Sequence, residues 1–209
     1  YIDSTVRHGT SGKGLRQYWD YRDPAGSAQD AWLYTADITW SSETQIYIGY
    51  WWKIDTNMLT LIKEVDNLKV MKLQTASGGT WDLGYWKSFS PYCCSPTGCY
   101  PPDGCSKILG TDQQGNKSFG CWTDVIDGEW HSFIWGINFT TGELSLEIDG
   151  VDADNTPSCS TTIQGTNLVD DYFSIGGNMV GSYQGYPEGY TAWDDIIVAT
   201  TKAEVEEFL

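Results

Sequence analysis

The stretch TQIYIGYWWKID, Thr44 to Asp55, constrains this chain more than any other. Its apolar residues recur with a period of two, the spacing of a strand with one face buried. Ile46, Ile48, Tyr50, Trp52 and Ile54 fall on one face, and Gln45, Tyr47, Gly49, Trp51 and Lys53 on the other. The first set is a core face. The second mixes rings with hydrogen-bonding groups, a composition suited to stacking on a sugar or on a partner. The adjacent tryptophans therefore point in opposite directions. We expect Gln45, Tyr47, Trp51 and Lys53 to form a carbohydrate- or partner-binding surface.

The same period recurs along the chain. GLRQYWDYR (Gly14–Arg22), DAWLYTADITW (Asp30–Trp40), NLKVMKLQT (Asn67–Thr75) and TWDLGYWK (Thr80–Lys87) read as strands separated by turns. GEWHSFIWGINF and ELSLEIDG read as a hairpin, with His131, Phe133, Trp135 and Ile137 on one face of its first strand. DYFSIGG and TAWDDIIVAT are the last strands. TNMLTLIKEVD (Thr56–Asp66) has room for a helical turn. The clear helix is the end, residues 200–209, where Thr201 and Glu204 have capping-box spacing. About ten strands without a βαβ pattern predict an all-β, antiparallel two-sheet β-sandwich of jelly-roll type, one domain over 1–209.

The six cysteines, Cys93, Cys94, Cys99, Cys105, Cys121 and Cys159, cluster in or near a Gly- and Pro-rich stretch, read as a loop insertion over 90–120. Their spacing suits disulfides better than paired zinc knuckles, and the pairing stays open. The chain opens on Tyr1 with no signal peptide, and we expect a secreted chain whose export signal has been removed. Sequons stand at Asn116 and Asn138, so glycosylation is expected if the source glycosylates. With 12 basic and 28 acidic residues the formal charge is −16, which disfavours nucleic acid and anionic membranes. No apolar run is long enough to span a bilayer.

The runs YIGYWWKID, LKVMKLQ, GEWHSFIWGINFTTGELSLEIDG and FSIGGN…TAWDDIIV together resemble the concanavalin A-like lectin/glucanase superfamily, closest in feel to laminin-G-like domains and jelly-roll polysaccharide lyases. The resemblance spans about Gly12 to Thr200. It implies a fold that hosts lectins, hydrolases, lyases and structural modules. Two features depart from it. The cysteine-rich loop is not general there, and only YIDSTVRHGTS precedes the first clear strand. Either those residues close the sheet or one edge is open to another chain.

The resemblance implies, for a lyase, a Tyr or His proton abstractor with Arg, Gln or Asn partners. His131 shares a face with Phe133 and Trp135 and reads as a buried structural histidine. His8 has no evident partner, and HGTSGKG precedes a strand rather than a phosphate-binding helix. For a glucanase, Glu143, Glu147 and Asp149 lack the Glu-x-Asp-x-x-Glu spacing. No catalytic set is therefore assigned, and no cofactor or metal site. Ca²⁺ is weighed on Asp149, Asp152, Asp154, Asn155, Asp194 and Asp195, without a defined ligand set. The leading expectation is a non-catalytic structural subunit of an extracellular assembly, with copies of itself or polysaccharide as partner. A lectin-like carbohydrate-binding module is the alternative, and a lyase or glucanase the second.

Overall fold

The computed structural model describes residues 2–3, 8–9, 14–19, 29–34, 43–58, 67–74, 80–86, 107–111, 116–121, 127–138, 140, 144–152, 172–180 and 189–209. These form thirteen strands, one 3₁₀ turn and one α-helix. The strands are β1 (Ile2–Asp3), β2 (Gly14–Trp19), β3 (Gln29–Tyr34), β4 (Gln45–Ile54), β5 (Asn67–Gln74), β6 (Thr80–Trp86), β7 (Lys107–Thr111), β8 (Asn116–Cys121), β9 (His131–Asn138), β10 (Leu144–Ile148), β11 (Val151–Asp152), β12 (Tyr172–Val180) and β13 (Gly189–Ala199). A seven-stranded sheet has the order β1-β2-β13-β4-β9-β10-β11, and a six-stranded sheet the order β3-β12-β5-β6-β7-β8. All described pairings are antiparallel. The architecture is mostly β and consistent with a β-sandwich.

Strand β4 lies between β13 and β9, and its alternation is the one its sequence dictates. Ile46, Ile48 and Ile54 are fully buried, with Tyr50 and Trp52 nearly so. Cross-strand partners extend this inner face: Trp193 lies opposite Trp52 on β13, and Phe133, Trp135 and Ile137 lie opposite Tyr50, Ile48 and Ile46 on β9. Burying each of these large apolar side chains contributes about 1.5–3 kcal/mol. Within this interior the Trp135 indole N–H donates to the Tyr50 hydroxyl at 2.8 Å. Burial holds the Tyr50 phenol protonated by pushing its pKa up, against a smaller opposing effect of the Trp135 bond.

The expected loop insertion contains more order than its composition suggests. The span 90–120 includes β7 and most of β8, a hairpin that extends the six-stranded sheet. Cys121 ends β8 and Asn116 begins it; Cys93, Cys94, Cys99, Cys105 and Cys159 lie outside the described residues. The Asp149-Gly150 pair makes a tight hairpin turn into β11, with φ of 51° and 74°. Both values are positive, as a two-residue type I′ turn requires. The helical turn allowed after β4 is the 3₁₀ turn Thr56–Met58. β1 supplies an N-terminal edge strand, which among the described residues pairs with Gly14 and Leu15 of β2.

The C-terminal helix α1 (Lys202–Phe208) starts at the expected capping box, with Thr201 and Glu204 bonded reciprocally. It packs on the outer face of β4. Val205 is fully buried there, and a Cβ built on Gly49 would lie 2.2 Å from its Cγ1 and 3.0 Å from Leu209 Cδ1. Lys202 anchors the other end on Glu147 of β10 and also meets Glu206. The Glu147 bond is the main reason the Lys202 pKa is raised. Gly49→Ala should therefore push α1 off the sheet and cost about 1–3 kcal/mol in urea unfolding. Adding Val205→Ala should recover part of that loss, and a neutral Gly49→Ala would show that the helix is not seated there.

Candidate functional site

The question raised by the two tryptophans resolves at the outer face. Trp51 lies opposite Ser132 on β9 and Asp194 on β13. Its indole N–H donates to the Leu209 carbonyl at 3.2 Å. The His8 ring stacks on it with centroids 3.8 Å apart and planes 12° from parallel. Trp130, just before β9, meets His8 edge-on at 6.3 Å. The cover on Trp51 thus comes from the end of α1 and from the N-terminal segment.

Two carboxylates complete this cluster. The sheet pairing slips between Asp194 and Ile197, a bulge, and Asp195 takes a φ of 48°. A bulge re-aims side chains that would otherwise alternate. Asp194 accepts the His8 backbone N–H at 2.9 Å on one oxygen and the Asp195 N–H at 3.0 Å on the other. Asp195 faces the His8 Nδ1 at 3.3 Å, with 44% of its side chain exposed. Trp51, Trp130 and His8 are each only partly buried. The result is a surface seat with a ring for a floor, a second ring as a wall and a carboxylate at its side.

The four residues expected to act together are divided by the helix. Trp51 and Lys53 lie beyond Gly49 on one side, with Arg16 and the Tyr190 ring beneath it (4.9 Å) farther across the face. Gln45 and Tyr47 lie on the other side, where the Gln45 amide donates to the Tyr47 hydroxyl at 2.7 Å. The Tyr47 ring there packs over Gly136. Sequence reading missed that His8, Trp130 and Asp195 join Trp51. The available signal was the WDD step, since consecutive acids inside an otherwise alternating strand suit a bulge.

A second polar cluster sits at the start of β9 and holds His131, expected to be buried, at a part-buried position. Its side chain is 12% exposed and clasped between two carboxylates, Asp149 at 2.6 Å on Nδ1 and Asp127 at 3.0 Å on Nε2. It lies on the inner-face register, but at the first residue of its strand, where water and loop carboxylates reach it. Asp149 also accepts the Ser132 N–H at 2.9 Å. Two such bonds require both ring nitrogens to carry protons. Burial works against this, but the bonds to Asp149 and Asp127 prevail and raise the His131 pKa above 6.5. Burial likewise opposes the Asp127 carboxylate, and the bonds from His131 and the Glu129 amide outweigh it, lowering its pKa below 3.8.

With both nitrogens engaged, His131 in this geometry has no lone pair with which to abstract a proton. Asp149, one of the acids weighed for Ca²⁺, is likewise engaged. Asp154 and Asn155 lie outside the described residues, and no group of three or more metal-ligating side chains occurs among the described ones. Asn138 ends β9 and its side chain accepts the Thr140 N–H at 2.9 Å, closing a turn across that sequon.

No protein-family model and no curated protein matches the sequence. Solved structures do match. Cip1, a cellulose-induced protein, superposes with a TM-score of 0.60 at 12% identity over 96% of this chain and 84% of its own. The fold is a concanavalin A-like jelly roll. The binding domain of Paraclostridial Mosquitocidal Protein 1 gives a TM-score of 0.58 at 10% identity, covering 99% of this chain but 44% of the toxin chain. A family 7 alginate lyase, A1-II′, solved with its product, gives 0.51 at 10% identity over 90% of this chain and 79% of its own. At these identities the likeness is one of fold. No helix among the described residues is long and apolar enough to cross a membrane.

The His131 clasp makes stability depend on pH in a defined direction. The histidine contribution is complete below its unfolded pKa and is lost as pH rises through the raised folded value. The Asp127 contribution is present above the unfolded carboxylate value and is lost as pH falls through the lowered folded one. Urea midpoints should therefore decline as pH rises from about 6.5 through the raised folded value, and His131→Gln should flatten that decline. An unchanged alkaline limb in the variant would place its origin elsewhere.

Proposed function

We propose that the chain is a carbohydrate-binding β-sandwich module that works outside the cell, with the Trp51 seat as its contact surface. The observation that carries this reading is the ring stacked on Trp51 at a partly exposed position beside Asp195. A pyranose stacks on an indole face in the same way, and a neighbouring carboxylate accepts from its hydroxyl groups. Lys53 and the Arg16–Tyr190 pair continue the outer face past this point. The fold neighbours support the reading, since the alginate lyase was solved with its product and a botulinum neurotoxin type C is described as interacting with two ganglioside molecules.

Affinity electrophoresis through gels containing soluble polysaccharides tests it. At least one neutral or amino-substituted glycan should retard the protein, and Trp130→Ala should weaken retardation by roughly tenfold, the scale of one lost ring contact. Unretarded migration in every gel would reject the reading.

Assembly with copies of the same chain is a second reading, favoured by the short edge strand. Among the described residues β1 is a two-residue edge strand paired with Gly14 and Leu15 of β2, and a short edge strand is a template for strand addition. Electron microscopy of source-purified protein should then show filaments or ordered arrays, and isolated particles at all concentrations would remove it.

A further inference from the structure

The occupant of the Trp51 seat in this structure is the chain's own His8, and its contacts specify a ligand. The imidazole offers a flat ring, lying 3.8 Å from the indole and 12° from parallel, and a ring nitrogen 3.3 Å from the Asp195 carboxylate. A molecule that reproduces both contacts needs a ring to stack on Trp51 and a nitrogen donor at its edge. We propose that the Trp51–Trp130–Asp195 seat takes a glucosamine-type amino sugar through its protonated amine, and that His8 is a tethered placeholder competing for the same position. This rests on the carbohydrate-binding reading and narrows it.

Three considerations favour a charged amine over a hydroxyl or an acetamide. A hydrogen bond between an ammonium and a carboxylate is about twice as strong as a neutral one. Indole faces attract cations, and Trp51 and Trp130 both border the position. The chain carries a formal charge of −16, so its field draws polycationic glycans and repels polyuronates. Lys53 is the nearest cation along β4, and the paired acids Asp194 and Asp195 outnumber it at the seat. Asp194 is committed to two backbone N–H groups, which leaves Asp195 as the carboxylate that exchanges His8 for the amine.

Short chitosan oligosaccharides, their fully N-acetylated counterparts and cello-oligosaccharides would be titrated calorimetrically against the whole chain, at a pH where the sugar amines are charged. Chitosan oligosaccharides should bind, the other two should bind roughly tenfold more weakly, and His8→Ala should tighten chitosan binding. Asp195→Asn should abolish the preference for the amine. Asparagine tolerates the left-handed backbone of that position, so the bulge is kept. Equal binding of all three sugars, or weaker chitosan binding by His8→Ala, would overturn the proposal while leaving the carbohydrate-binding reading intact. Binding by none of the three in both wild type and His8→Ala would overturn it as well, and the polysaccharide gels decide the broader reading separately.

Discussion

The space that residue 49 leaves empty determines much of the described surface. Because Gly49 has no side chain, Val205 reaches the sheet and becomes fully buried. Its burial fixes α1 across the outer face, the Lys202–Glu147 pair sets the direction of the helix, and the Leu209 carbonyl then arrives at the Trp51 indole. A helix of seven residues is too short to be stable alone. It persists because the sheet supplies the apolar surface it lacks. The outer face is thereby divided, with Tyr47 and Gln45 on one side of the helix and Trp51 and Lys53 on the other.

Much of this was legible in the sequence, and the reasons are physical. A period of two has only two solutions, one face or the other, so the inward set from Ile46 to Ile54 followed directly from spacing. The capping box is a local device that needs no tertiary context, and it marked the start of α1 correctly. What could not be read depends on contacts distant in sequence. His8 and Asp194 are 186 residues apart, and no local pattern brings them together. His131, read as a buried structural residue, is part-buried and held by two carboxylates, because facing the core and lying in the core differ at a strand's first residue. Periodicity gives the direction of a side chain, whereas the ends of neighbouring loops decide whether water reaches it.

The inner face also shows what large aromatics cost. Trp135 resolves its polar edge by donating to Tyr50. The indole nitrogens of Trp52 and Trp193, paired across β4 and β13, are buried with no acceptor among the described residues. Each such donor costs about 1–3 kcal/mol. Against that cost stands the apolar area that each indole buries. The contact of Trp52 with Phe133, edge to face at 5.6 Å, is part of that gain.

The alginate lyase and this chain share a sandwich, yet their electrostatics need not agree. A polyuronate carries a carboxylate on every sugar, and a protein that grips it must present compensating cations. Here acids outnumber basic residues 28 to 12. Lys202, on the helix that roofs the outer face, is already paired with Glu147 and Glu206. His131 is enclosed by Asp127 and Asp149. These charges are engaged within the fold. The ring and carboxylate at Trp51 and Asp195 are held in place by other contacts, yet partly exposed. In a fold shared by lectins and lyases, the proposed carbohydrate binding rests on the chemistry of that position and not on the sandwich beneath it.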